Sequence, residues 1–186
     1  AGKPEGFVEC SWACVAQGTC GAHCSRRTQQ RGVEHSFQVF MHEAKGWCLR
    51  TLSFIPEGAL VMEYVAERVS KVREVERSRI NPDTETYIMD LEKQGSHANS
   101  RAPKLDALEV RNHAAFAAFA CRKQYANMEK KAFFTFHWDA CCPSVGFFAT
   151  RDIQPNEELT YLRSDAEMRD GVLNCACGAK DCGTRL

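Results

Sequence analysis

The chain has 186 residues, and 24 Lys+Arg balance 24 Asp+Glu. That length fits one domain with a small appendage, and the neutral balance argues against a strongly basic nucleic-acid binder and an acidic disordered tail. Hydrophobic residues make up 44% and aromatics 10%, enough to bury a core, while the longest wholly apolar run, residues 114–121, is far short of a membrane span. The start, Ala1-Gly2-Lys3-Pro4-Glu5-Gly6, holds no apolar signal-peptide core. A soluble, intracellular chain with no membrane partner is the expectation.

Residues 1–30 are rich in Cys, Gly and Arg and show neither a helical nor a strand period. Such a segment cannot pack itself and calls for a metal staple. From Phe37 onward the texture is short β-type runs: 37–42, 49–52, 60–65, 86–91, 132–138, 145–149 and 159–161. Pro56-Glu57-Gly58, Asn81-Pro82-Asp83 and Pro155-Asn156 supply turns between them. Val65, Val69, Val72 and Val75 repeat at three or four, with Lys71, Arg73, Glu74, Glu76 and Arg77 opposite. That pattern predicts an amphipathic helix. Residues 110–121, rich in Ala and Phe, are expected to form a second, buried helix, and 92–104 an exposed loop. Ile153-Gln154-Pro155-Asn156 echoes Ile55-Pro56-Glu57-Gly58, each followed by a β-type run, which reads as two similar strand–turn–strand units.

Eleven cysteines lie mostly in clusters at the two ends. Their share is below the roughly 8–10% that marks a disulfide scaffold, and clustering of this kind points to metal ligands. Cys10-x3-Cys14-x5-Cys20-x3-Cys24 brings four thiols into fifteen residues, the donor set of a tetrahedral zinc. Cys175-x-Cys177-x4-Cys182 supplies three more. Its fourth ligand must come from elsewhere, with Cys48, Cys121, Cys141 and Cys142 as candidates.

Several segments, in order and over nearly the whole chain, resemble the SET domain of protein-lysine (histone) methyltransferases. Glu9-Cys10-x3-Cys14 with Arg26-Arg27-x-Gln29 resembles the end of a pre-SET region. Lys45-Gly46-Trp47-Cys48-Leu49-Arg50-Thr51 resembles the KGWGLRT cofactor strand. Ile55-Pro56-Glu57-Gly58 and Glu63-Tyr64-Val65-Ala66-Glu67 resemble IPxG and EYxGE. Phe147-Phe148-Ala149-Thr150-Arg151-Asp152-Ile153 and Glu157-Glu158-Leu159-Thr160-Tyr161 resemble FFATRDI and EELTY. Cys175-Ala176-Cys177-Gly178 through Cys182 resembles a post-SET tail.

The resemblance implies a mostly-β fold, the SET β-clip of short strands, with a pseudoknot-like C-terminal threading, one or two short helices and zinc-stapled ends. It implies a pre-SET-like segment at 1–34, a SET domain at 35–165 and a post-SET tail at 166–186. It makes Cys121 the fourth ligand of the second of two structural zinc sites. The implied donor is S-adenosylmethionine, held at Lys45, Gly46, Trp47, Tyr87, Ala118 and Phe119. Tyr64, Tyr87 and Tyr161 match tyrosines shaping a lysine channel, and Tyr161 hints at low-order methylation. Met89, Asp90 and Leu91 match a strand against which a peptide adds. The implied partner is a histone H3 tail or another lysine-containing peptide on chromatin, in the nucleus, without direct sequence-specific nucleic-acid binding.

Four motifs depart from the family pattern. The second glycine of GWG is Cys48, the glycine of EYxGE is Ala66, the Asn-His pair is Ala118-Phe119, and DY is Leu162-Arg163. Two readings therefore stand: a lysine methyltransferase, and a SET-fold pseudoenzyme that acts as a chromatin or peptide interaction module.

Overall fold

Short strands carry most of the backbone pairing, as the run-and-turn texture of the sequence requires. The computed structural model describes residues 7–32, 34–89, 104–134, 143–162 and 176. Eleven strands fall in these segments: β1 (Phe7–Val8), β2 (Phe37–His42), β3 (Gly46–Thr51), β4 (Leu60–Glu63), β5 (Ala66–Val69), β6 (Ile88–Met89), β7 (Lys104–Arg111), β8 (Ala118–Ala120), β9 (Met128–Phe134), β10 (Ser144–Ala149) and β11 (Thr160–Leu162). Three helices accompany them: α1 (Trp12–Ala16), α2 (Lys71–Ile80) and α3 (Thr84–Tyr87). The fold is mostly β, as expected. Its largest sheet runs β4-β10-β9-β11-β8, with β1 on β9; β2-β3 and β5-β7-β6 form two smaller sheets.

The chain divides into two compact units. The first comprises Ala1–Val33, Met62–Ala115 and Lys131–Gly146; the second comprises Glu34–Val61, Phe116–Lys130 and Phe147–Leu186.

In the first unit, β5 and β6 flank β7, with Met89 opposite Leu105 and Val69 opposite Lys104. The expected helix begins later than its valine repeat. Val69 is a buried strand residue, and Ser70 caps α2 by accepting from the Arg73 amide at 3.3 Å. Val72 and Val75 are exposed, so the apolar stripe spans two elements and is not the buried face of either. Charge anchors α2 instead. Arg77 pairs with Glu67 and the fully buried Asp106 at 2.8 Å each, and Glu74 with Lys104 at 3.1 Å.

Two further expectations are corrected here. The strand expected over 86–91 starts as the one-turn helix α3. Asn81 accepts from the amides of Asp83 and Thr84 and extends the Asn-Pro-Asp turn. The helix expected over 110–121 is absent: β7 runs to Arg111, a 3-10 turn covers His113–Phe116, and β8 follows. Asn112 breaks the segment. Its carboxamide oxygen accepts from the Val65 and Ala114 amides, and its nitrogen donates to the Glu63 carbonyl at 2.9 Å. Strand pairing overrides the helix propensity of the alanines.

In the second unit, β2 and β3 form a hairpin in register from Phe37↔Thr51 to His42↔Gly46. The tandem echo is realised as paired turns. Ile55 and Ile153, both fully buried, exchange backbone hydrogen bonds at 2.9 and 3.0 Å. Gly58 and Asn156, at matching positions of the two turns, are both left-handed, with φ of 78° and 69°. Leu49, Phe147, Leu159 and Met128 of the same unit are also buried. β11 lies parallel to β8, pairing Thr160↔Ala118, Tyr161↔Phe119 and Leu162↔Ala120. Strand β9 extends the expected run at 132–138 back to Met128, and residues 135–138 lie outside the described residues. The expected loop gives up Lys104 to β7, and the rest of it lies outside the described residues, as does the C-terminal threading.

Candidate functional site

The first unit carries the expected substrate-side residues. Tyr64, which follows β4, is buried, and its backbone N–H donates to the Val145 carbonyl at 2.8 Å. Its hydroxyl donates to the Tyr87 carbonyl at 3.0 Å, so the two tyrosines share one local structure. The Asn112 hydrogen bonds to Glu63 and Val65 grip the backbone on both sides of Tyr64. Tyr87 closes α3, and the Arg111 guanidinium lies 5.1 Å from its ring centroid. Met89 is buried on β6. Asp90 and Leu91 lie outside the described residues.

The same unit holds the first cysteine cluster. The Sγ atoms of Cys10, Cys20 and Cys24 all lie within 4.8 Å of one another, which fits ligands of one tetrahedral ion with Zn–S distances of about 2.3 Å. Cys14 joins them through a hydrogen bond with Cys10. A hydrogen bond to Cys24 chiefly pushes the Cys10 thiol up to about 11. Cys14 and Cys24 are held below the ordinary thiol value, chiefly by the backbone N–H groups of Ser11 and Arg26. Two arginines shape the loop: Arg27 donates to the Gly21 and Ala22 carbonyls, and Arg31 to those of His23 and Cys24. Three of the four cysteines of the spacing, Cys10, Cys20 and Cys24, thus converge. Of the second set, Cys121 is half-buried in the second unit, and Cys175, Cys177 and Cys182 lie outside the described residues.

The second unit carries the expected cofactor-side residues. The β2–β3 turn is ordered by His42, whose Nδ1 accepts from the Ala44 and Lys45 amides. Gly46 is left-handed at φ 79°, and the space where a Cβ would stand is open. Trp47 is 59% exposed opposite Met41. An open backbone turn with an exposed ring beside it fits the close approach of a flat, partly apolar cofactor. Cys48 stands where the family pattern has glycine. Its side chain is buried and its thiol donates to the Glu158 carboxylate. Burial, and then that negative neighbour, push the thiol up to about 11. The Lys45 ammonium is bound by both Glu158 oxygens, at 2.9 and 2.7 Å.

Ala118 and Phe119, in place of Asn-His, lie in register with Thr160 and Tyr161. The Ala118 amide donates to the Leu159 carbonyl at 3.1 Å, so backbone pairing survives the side-chain changes. Tyr161 is half-buried, with the Phe147 ring 4.9 Å away and the Lys130 ammonium 6.0 Å from its centroid. Arg163 lies outside the described residues.

The sequence motifs assign no task to Glu158 or Asn127. Asn127 is buried, donates to Glu157 Oε1 and the Glu158 carbonyl, and accepts from the Thr160 amide. Its signal is an Asn set between apolar Ala126 and Met128 in a β-type context. For Glu158 the signal is the acidic pair ahead of a buried Leu159.

A model of the SET domain matches residues 46–162. Human histone-lysine N-methyltransferase SETMAR is 33% identical over 194 residues, covering 96% of this chain and 27% of that protein. Arabidopsis thaliana histone-lysine N-methyltransferase SUVR3 is 31% identical over 193 residues, covering 98% of this chain and 52% of that protein. The chain thus spans about a quarter and about a half of the lengths of these two relatives. The structure of KRYPTONITE in complex with mCHG DNA and SAH superposes with a TM-score of 0.72 at 27% identity, over 96% of this chain and 34% of that one. Neurospora DIM-5, a SET-domain histone lysine methyltransferase, superposes with a TM-score of 0.66 over 76% of this chain and 57% of that one. At 24% identity that likeness speaks for the fold alone.

Proposed function

The chain belongs to the SET-domain family of protein-lysine methyltransferases, and from that premise we propose that it moves the methyl group of S-adenosylmethionine to a lysine amine in a histone tail, histone H3 first. The observation that carries the proposal is one alignment, over 46–162, that takes in the Gly46 turn, Tyr64, Tyr87, Ala118, Phe119 and Tyr161 together. Relatives named as histone-lysine methyltransferases, and SAH in the KRYPTONITE structure, support the same reading.

When bound, S-adenosylmethionine supplies an electrophilic methyl group on a sulfonium. The chain's own residues must present a neutral amine in line with it. A free lysine has a pKa near 10.4, so apolar surroundings have to favour the uncharged form. Tyr64, Tyr87 and Tyr161 aim that amine, and holding it in place supplies most of the rate. Lys45, Gly46 and Trp47 hold the donor, with the backbone of Ala118 and Phe119 standing in for the missing Asn-His side chains. Met89, Asp90 and Leu91 receive the peptide as an added strand. Cys10, Cys14, Cys20 and Cys24 hold one zinc; Cys121 with Cys175, Cys177 and Cys182 hold a second. The division at 1–34, 35–165 and 166–186 follows these roles, and a chromatin substrate places the work in the nucleus, on chromosomes.

The test is mass spectrometry of histone-tail peptides incubated with zinc-loaded protein and S-adenosylmethionine. The expected result is a gain of one methyl mass on an H3 lysine, with low-order products dominant. Unmodified peptides throughout, despite bound donor, would replace the enzyme with a peptide-binding module.

A further inference from the structure

The second unit contains an ion pair whose acidic member the proposed chemistry does not use. Lys45 sits at the β2–β3 turn and Glu158 enters β11 more than a hundred residues later, yet both carboxylate oxygens bind the ammonium. The two side chains are only 16% and 24% exposed, so solvent screens them weakly. Backbone contacts fix their approach. Arg50 and Glu158 form an antiparallel bridge, the Leu159 amide donates to the Leu49 carbonyl at 2.8 Å, and the Thr51 amide to the Glu157 carbonyl at 3.1 Å. Asn127 holds the Glu158 carbonyl from the other side at 2.8 Å. The Cys48 thiol adds a further donor to the same carboxylate.

A bare ammonium at the mouth of a turn that receives a sulfonium repels it. Glu158 removes that charge and, through Cys48, ties the turn to the strand behind it. We infer that Glu158 is a positioning residue for the 45–48 turn, pairing with Lys45 so that the turn presents a neutral electrostatic face to a cationic methyl donor. The inference rests on the S-adenosylmethionine reading and names what tunes its charge preference. Glu158 acts through Lys45 and Cys48 and touches no reacting atom.

The test uses charge, which a merely structural role would not move. S-adenosylmethionine carries the sulfonium, whereas S-adenosylhomocysteine is a neutral thioether at the same sulfur. Calorimetry gives the ratio of their affinities in the zinc-loaded whole chain. Glu158→Gln leaves Lys45 uncompensated, and the ratio is expected to move against the sulfonium by about fivefold, the order set by one partly screened unit charge. Lys45→Gln leaves Glu158 uncompensated and moves the ratio the other way, a second variant free of any stranded cation. The double variant returns the ratio to the wild-type value. Ratios that stay constant across all three proteins overturn the inference while leaving the methyl-donor reading intact. Wild-type protein that binds neither ligand overturns that reading and the inference with it.

Discussion

At the scale of single residues, the tyrosine pair is the most constrained part of the substrate side. Tyr64 is almost fully buried, and its one hydroxyl donor is spent on the Tyr87 carbonyl at 3.0 Å. A buried carbonyl left without its donor costs about 1 kcal/mol. Tyr64→Phe is therefore expected to lower unfolding stability by about that amount in denaturant titration. It is also expected to slow turnover by about tenfold, because Tyr87 loses its brace. An unchanged midpoint would contradict the hydrogen bond's role. Tyr64 was legible from its motif, but its brace was not. The brace depends on α3, a one-turn helix where alternating apolar residues promise a strand. Cys48 teaches the converse. In the sequence it reads as a departure at a glycine position, and only the packing shows it buried beside Glu158.

Among the elements, the segment that leads into β11 ties the second unit together through side chains at 156–160. Glu157 illustrates the balance of forces there. Partial burial pulls its carboxyl up, but hydrogen bonds from Arg151, Asn127 and the Gln154 amide outweigh that and hold it below the ordinary 4.5. A depressed carboxyl contributes stability that is fully present above its unfolded pKa and is lost as pH falls through the folded one. Thermal stability is thus expected to decline on acidification from about pH 4.5 downward. Glu157→Gln should flatten that decline in melts taken across this range, and an equally steep profile would assign the acid loss to other groups. The turn echo at Ile55 and Ile153 was visible as a repeated Ile and Pro pattern. Its consequence, two left-handed turns joined by a buried bridge, needs the pairing partner and cannot be read locally. The misplaced start of α2 has the same origin: Val69 suits a strand edge as well as a helix stripe, and pairing with β7 decides between them.

At the scale of the whole molecule, the resemblance of ordered motifs carried the family and the mostly-β fold, because each motif marks a local backbone need. A glycine is left-handed at the Gly46 turn, thiols converge at Cys10, Cys20 and Cys24, and strand runs end at Pro-containing turns. Less legible was everything that depends on residues distant in sequence, above all the Lys45–Glu158 pair and the buried Asn127 hub. Four departures from the family pattern bear on activity; among them, Cys48 is buried beside Glu158, and β8 pairs with β11 at Ala118 and Phe119. On the proposed function, this chain still receives a cationic methyl donor despite those departures. Calorimetric titration of the zinc-loaded protein with S-adenosylmethionine tests it most directly. The expected result is saturable heat with a dissociation constant of about 1–100 μM, which corresponds to about 5–8 kcal/mol of binding free energy. No heat and no thermal shift at millimolar donor would contradict it.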